Sequence, residues 1–458
     1  MKQTARSVAY ECLLAVSVDD AYANLLLPRL LSNANLDERD SGLAQELTFS
    51  ALRWQGFYDA IITRCAGREL DEIDPKALNL LRLGAHQLLG MRVATHAALN
   101  ETVELAKRVA SAGAVGFVNG VLRRISEKTR EAWVTVLTRS ISDSKERMAI
   151  TESHPLWVVR ALADALQSDG RADELEQLLQ SDNVPPLVNL VAIPGLSNLD
   201  DLLDIGAVAG RISPIGGELP EGNPGDLEAV RRGHIRVQDQ GSQLAALALV
   251  AAKPIGAKEE WLDLCAGPGG KAALLAAEAR LQGAEFFANE LAPHRAKLVE
   301  QALKPVNPDV YVRTGDGREL GADAPESFDR ILLDAPCTGL GALRRRPEAR
   351  WRKQPSDVAQ LAKLQQELFA SAWDGLKPGG VLAYVTCSPH LAETTAIIDW
   401  AQKQFGHSLE LLDAGAAVKS INPDIKTNPN RKTVQLWPHE HGTDAMFIAL
   451  LQKRESVG

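Results

Sequence analysis

Apolar residues in the first 135 positions recur at three- and four-residue intervals, as in ARSVAYECLLAV, AQELTFSALRWQGFYDAII, PKALNLLRLGAHQLL and ALNETVELAKRV. That spacing lines one face of an α-helix and predicts an all-α bundle over 1–135. Asp74 followed by Pro75 reads as an N-cap and a proline at the first helical position. Over 140–235 the pattern changes to a small mixed α/β segment. A helix is expected over 157–180, then a strand in LVNLVAI, a short helix in LDDLLDIG and the Gly- and Pro-rich stretch ISPIGGELPEGNPGD. From 236 to 455 strand and helix patterns alternate, which predicts βαβ units around a parallel sheet. The strands are read at EEWLDLCA, AEFFANE, DVYVRTGD, FDRILLDAP and GGVLAYVTC, and DAMFIALLQK reads as a closing, antiparallel strand.

A length of 458 residues exceeds one ordinary domain, so two or three are expected. With 45% hydrophobic and 24% charged residues the composition is that of a globular chain. The longest apolar run, LAALALVAA, is too short to span a bilayer, and MKQTARSVAYE lacks the pattern of a secretory signal. The five cysteines form neither a disulfide framework nor a zinc-ligand spacing, which predicts a cytoplasmic protein with reduced thiols. A net charge of −9 speaks mildly against nucleic acid, but phosphate contacts are local and a basic face can sit on an acidic chain.

Candidate chemistry begins at LDLCAGPGGK, where Asp263 on a strand precedes a turn containing Gly267, Gly269 and Gly270. Glycines there let the backbone turn sharply and approach a ligand closely. The following strands each end in an acid. Glu290 suits ribose hydroxyls, and Asp316 suits an adenine amino group. No lysine–serine pair follows the turn, so the cofactor need not carry phosphates. S-adenosylmethionine fits these features; NAD is the rival, although GPGG lacks the GxGxxG spacing.

Two cysteines stand at the ends of neighbouring predicted strands, Cys337 in DAPCTG and Cys387 in VTCSP, with Asp334 beside the first. Cytosine C5 is a poor nucleophile until a thiolate adds to C6 and turns the ring into an enamine, so methylation at C5 needs a nucleophilic cysteine. A single such cysteine reads as a core residue; two at matching strand ends point to chemistry. Cys265 reads as packing, and Cys12 and Cys65 as helical core. Between the two cysteines runs GALRRRPEARWRK. Its Arg344, Arg345, Arg346, Arg350, Arg352 and Lys353 suit RNA phosphates, and Trp351 suits a stacked base; the alternative is a solvated charged face. His439 and His441 lack the partners of a metal site and read as loop residues.

The motifs DLCAGPGGK, DAPCTG, VTCSP and PHEHGTDAMF resemble those of the RNA cytosine-C5 methyltransferase family (Nol1/Nop2/Sun) over Arg236 to Lys453. The resemblance implies a doubly wound, Rossmann-like class I methyltransferase domain over 236–455. It implies Cys387 as nucleophile, Cys337 in product release, Asp334 on the cytosine edge and Lys271 beside cofactor and target base. S-adenosylmethionine would lie against Cys265, Ala266, Gly267, Pro268, Gly269, Gly270, Lys271, Glu290, Asp316 and Asp334. Two departures are Ala445-Met446 in place of the usual Gly-Phe, and Gly267 where alanine is common. In LNETVELAKR and GFVNGVLRRI the N-terminal bundle is similar to the NusB-type RNA-binding domain. That combination implies 16S rRNA as partner before subunit assembly, no membrane, and a monomer. Two alternatives stand: the same chemistry on tRNA, and an RNA-binding assembly factor with a vestigial methyltransferase domain.

Overall fold

The computed structural model describes residues 3–455 and divides into two compact units. The first unit runs to Ala163 and also takes in Asp173–Pro185 and Leu343–Lys353. It is helical, with Ala5–Val18, Glu38–Arg53, Gln55–Ala66, Pro75–Leu89, Thr95–Val109 and Ala112–Ser126 around one apolar core. Leu13, Leu47, Phe57, Leu80 and Leu122 are buried in that core. The Asp74 carboxylate accepts the N–H groups of Lys76 and Ala77, so the Asp-Pro start of the helix Pro75–Leu89 is capped as expected. Inside the bundle Arg82 meets Asp59 through two hydrogen bonds of 2.7 and 2.8 Å, a buried fork whose charge is fully paired.

The helix expected over 157–180 is broken. Leu156–Ser168 and Leu175–Asp182 are separate helices, parted at Gly170, whose φ of 76° is left-handed and ends the first. Between Leu166 and Leu175 the chain is polar but for Gly170 and Ala172, so the two apolar runs on either side belong to separate helices.

The second unit holds two sheets. A four-stranded antiparallel sheet comprises β1 (Val188–Ala192), β2 (Val208–Ala209), β3 (Gly216–Leu219) and β4 (Ile235–Val237), in the order β2-β3-β1-β4. LVNLVAI thus supplies a central strand, while β2, β3 and β4 are too short to announce themselves by alternation. The larger sheet is built from β5 (Glu260–Asp263), β6 (Glu285–Glu290), β7 (Val312–Thr314), β8 (Phe328–Asp334), β9 (Leu376–Thr386), β10 (Leu409–Leu411), β11 (Val434–Gln435) and β12 (Phe447–Lys453). Its order is β10-β12-β9-β8-β5-β6-β7, with β11 paired to β12. Strands β5 to β9 run parallel and β12 antiparallel to β9. The chain order reverses between β5 and β8, which makes their carboxyl ends the switch point where doubly wound folds bind ligands.

Arg330 anchors this centre. It is fully buried in β8, its Nε donates to Glu259 Oε2 at 2.7 Å, and its other nitrogens meet the carbonyls of Leu249 and Lys253 at 2.7 and 2.9 Å. A buried guanidinium so fully paired fixes β8 beside β5, and deleting one partner of such a pair costs about 3–5 kcal/mol. Among the described residues no helix is long and apolar enough to cross a membrane.

Candidate active site

β8 and β9 lie side by side with Asp334 opposite Val385, and the Ala335 N–H still donates to the Val385 carbonyl at 2.9 Å. The two chains therefore leave the sheet together. Cys337 lies three residues beyond the end of β8 and Cys387 one beyond the end of β9, and their sulfurs come to 3.5 Å. The loop after Cys337 is held close by Gly341. Its N–H donates to the Cys387 carbonyl at 2.9 Å, and its own carbonyl accepts the Ala445 N–H at 2.8 Å. A Cβ at Gly341 would stand 2.2 Å from the Ala445 oxygen and 2.8 Å from the Cys387 oxygen, so glycine is required there. Ala445, one of the two departures noted above, touches the same loop.

Charge is arranged around the thiols. Lys271, in the first turn of the helix Gly270–Gln282, donates from Nζ to Asp334 Oδ2 at 2.8 Å. Burial opposes the charge on Lys271, but Asp334, and after it Cys387 and Asp263, outweigh burial and hold the ammonium above its ordinary range. The Cys337 thiol is pushed well above its ordinary value, first by its hydrogen bond to Cys387, then by burial and by the charges of Cys387, Glu393 and Asp334. Two sulfurs this close do not both ionise, so the pair holds one thiolate at most.

The glycine-rich turn joins β5 to that same helix. Glu290, at the end of β6, is buried; its Oε2 accepts the Gly267 N–H at 3.0 Å and its Oε1 the Ala292 N–H at 3.0 Å. A Cβ at Gly267 would fall 2.3 Å from Glu290 Oε2, and Gly269 has φ 104°. The alanine common at position 267 would thus clash with Glu290 here unless the carboxylate moved. Asp263 is 1% exposed, and no side chain hydrogen-bonds to its carboxylate oxygens. A buried carboxyl without a side-chain partner beside an open glycine turn fits a ligand bearing an amino group, such as the methionine part of S-adenosylmethionine. Asp316 is less open than the sequence suggests, since Arg318 occupies both its oxygens at 2.6–3.0 Å.

The family description for the 16S rRNA methyltransferases RsmB/F matches residues 251–452, and that of the NusB family matches 3–127. The putative methyltransferase Rv1407 of Mycobacterium tuberculosis is 47% identical over 98% of this chain and 96% of its own. The ribosomal RNA small subunit methyltransferase B of Pseudomonas syringae pv. tomato is 32% identical over 98% of this chain and 96% of its own. The chain belongs to the RsmB/F methyltransferase family. The crystal structure of PH0851 shares the fold, with TM-score 0.80 and 21% identity over 99% of this chain and 100% of that one. The structure of NSun6 from Pyrococcus horikoshii with SFG matches at TM-score 0.54 and 18% identity, over 65% of this chain and 98% of that one. The donor in an RsmB/F methyltransferase is S-adenosylmethionine.

Other residues singled out in the sequence of this methyltransferase fall differently. Arg350 is fully buried in the helical unit, where it donates to the carbonyls of Ser153 and Asp182 at 3.0 and 3.2 Å and to Asn183 Oδ1 at 3.0 Å. Burial pushes its guanidinium down to about 10. Arg344 is also buried, and Arg352 is half-buried with a 3.0 Å bond to the Val16 carbonyl. These arginines hold the segment to the bundle rather than presenting their charge to solvent. Trp351 packs so closely on Gly56 that a Cβ there would stand 2.2 Å from its ring. Arg346 is exposed, and Arg345 and Lys353 are half-buried. Burial raises the thiol of Cys12 to about 12 and that of Cys65 to about 11, and Cys265 is likewise pushed up, so none is poised as a thiolate. His441 bonds the Trp437 N–H and the Lys426 carbonyl, and no group of metal-holding side chains occurs among the described residues.

Two features were missed from the sequence. Asp239 meets the Thr443 hydroxyl and the N–H of Asp444, tying the late PHEHGTDAMF motif to the start of the helix Gln240–Ala251. Asp-Gln-Gly before an apolar helix is an N-cap signal that could have marked it. The other is Glu393, a buried acid six residues after Cys387.

Proposed function

We propose that this RsmB/F methyltransferase methylates C5 of a cytosine in 16S rRNA through a covalent bond between Cys387 and C6 of the ring. The observation that carries the reading is the pair of sulfurs 3.5 Å apart at the ends of adjacent parallel strands, with the Lys271–Asp334 pair alongside. One thiol would suffice for a core or for simple nucleophilic attack. Two within reach of one ring suit a cycle in which a bond must form and later break.

Bound S-adenosylmethionine supplies the electrophilic methyl group. Cys387 adds to C6 as the thiolate, and C5 gains the nucleophilic character to take that methyl. Asp334 meets the polar edge of the cytosine. Once Cys387 is bonded to carbon, its hydrogen bond with Cys337, the first cause that keeps the Cys337 thiol protonated, is lost. Cys337 then gives its proton to solvent and, as a thiolate, takes the C5 proton while the S–C6 bond breaks; the bonding pair returns to Cys387 as thiolate and Cys337 ends protonated. The Glu290, Gly267 and Asp263 cradle holds the donor. The helical unit, with Arg346 and Lys353 on its 343–353 segment, takes part in holding the RNA before the subunit is assembled. The enzyme acts as a cytoplasmic monomer.

The test is adduct trapping. Cys337→Ala incubated with S-adenosylmethionine and unmodified 16S rRNA should accumulate a protein–RNA species on a denaturing gel, absent in Cys337→Ala/Cys387→Ala. An adduct on tRNA alone would keep the chemistry and change the substrate. No adduct on any RNA would sink the assignment of the two thiols.

A further inference from the structure

Below the thiols lies a buried polar network centred on Glu393, which is fully buried just before the helix Thr395–Phe405. Its Oε1 accepts the N–H of Thr338 at 2.8 Å. Its Oε2 accepts the hydroxyls of Thr338 at 2.5 Å and Ser388 at 2.6 Å. Thr338 immediately follows Cys337 and Ser388 immediately follows Cys387. One carboxylate therefore grips the residue next to each thiol.

The grip is reinforced from behind. Gln365 donates to the carbonyl of Pro336, the residue before Cys337, at 2.9 Å and to Glu393 Oε1 at 3.4 Å. Tyr384 in β9 donates to the Glu393 carbonyl at 2.7 Å. Thr338, Ser388, Gln365 and Tyr384 are all buried. Each group that faces the carboxylate is a donor, so an acceptor with two oxygens is the shape the pocket requires. A buried carboxylate is costly unless it is fully paired, and here both oxygens of Glu393 are met by donors from the residues beside the two thiols.

We infer that Glu393 is a positioning residue that fastens the Cys337 loop to the Cys387 loop and so sets the separation of the two sulfurs. This rests on the reading that both cysteines act on one base. Glu393 touches neither substrate nor cofactor; it works through Thr338 and Ser388. A loosened grip lets the sulfurs drift apart, and misplacement by about 1 Å costs on the order of a hundredfold in rate.

The experiment compares full-length Glu393→Ala, Glu393→Gln and Ser388→Ala with the parent chain. Three quantities are read: kcat and KM on unmodified 16S rRNA, S-adenosylmethionine affinity by calorimetry, and the rate at which diamide links Cys337 to Cys387, followed by peptide mass spectrometry. Glu393→Ala should lower kcat about a hundredfold, keep KM and cofactor affinity near their parental values, and slow the Cys337–Cys387 link. Glu393→Gln should fall between, because its remaining oxygen still accepts the Thr338 N–H and the two hydroxyls can turn. If Glu393→Ala does not fold, Ser388→Ala carries the test with a smaller loss in kcat and the same slowing of the link. Parental kcat and linking rates in both Glu393→Gln and Ser388→Ala would overturn the inference. The diamide link does not depend on methylation. A slowed link with full turnover in Cys387→Ala would therefore refute the catalytic reading and leave the positioning intact.

Discussion

Lys271 Nζ stands 2.8 Å from Asp334 Oδ2, joining the first turn after the glycine-rich loop to the end of β8. The pair is only partly sheltered, with side-chain exposures of 12% and 28%. Its net charge is zero. In the proposed reaction Lys271 lends positive charge to the sulfurs and Asp334 lends an acceptor to the base.

Removing the ammonium should therefore hurt chemistry more than folding. In Lys271→Met the ammonium that meets Asp334 beside the thiols is gone. Single-turnover methyl transfer should fall about a hundredfold or more, within the range of groups that manage charge in a transition state. Lys271→Arg should not restore the rate, because a planar fork does not occupy the point an ammonium does. A near-parental rate in Lys271→Met would remove Lys271 from the machinery.

Asp263 makes a prediction about pH. Burial, and then the charge of Asp334, push its carboxyl from the ordinary 3.8 up to about 8. The folded chain therefore holds this proton where the unfolded chain has lost it, so stability falls as pH rises from about 4 to about 8. Asp263→Asn cannot ionise and escapes that loss. Thermal unfolding without cofactor should show the variant melting well above the parent at pH 8, with a much smaller gap at pH 5. A gap that does not change with pH would show that Asp263 carries no such burden.

Much of the site was legible because its chemistry is local in sequence. DAPC and TCS place a thiol just past the last residue of a strand, and strand identity follows from the apolar runs ILLD and VLAYV. The helical bundle and the alternating strands and helices of the larger sheet followed from periodicity in the same way, and the doubly wound order came from the family resemblance. Other features depend on contacts between distant residues. Arg350 looks like any member of a basic run until Ser153 and Asp182 are brought to it by folding. Glu393 looks like an acid near a helix start, and only the approach of Thr338 shows that it faces inward. Asp263 could be placed on a strand, but its want of a side-chain partner is a property of the packed site.

The basic segment offers the sharpest separation of folding from RNA binding. Arg350 satisfies several buried acceptors in the helical unit, and a buried acceptor left without its donor costs about 1–3 kcal/mol. Arg350→Ala should thus lower the unfolding midpoint clearly, and Arg350→Lys should not rescue it, since three donors on a flexible stem do not reproduce the fork. Arg346 is exposed, and Arg346→Ala should leave stability within about 0.5 kcal/mol. If Arg346 meets a phosphate, its loss also makes the plot of log affinity against log salt shallower by about 0.7–0.9. Filter binding to a 16S rRNA fragment over a salt series, alongside thermal melts, reads both quantities. A stable Arg350→Ala with a shallower slope, and an Arg346→Ala with none, would reverse the two roles. It would mean that the guanidinium buried among carbonyls is released to the RNA when the complex forms.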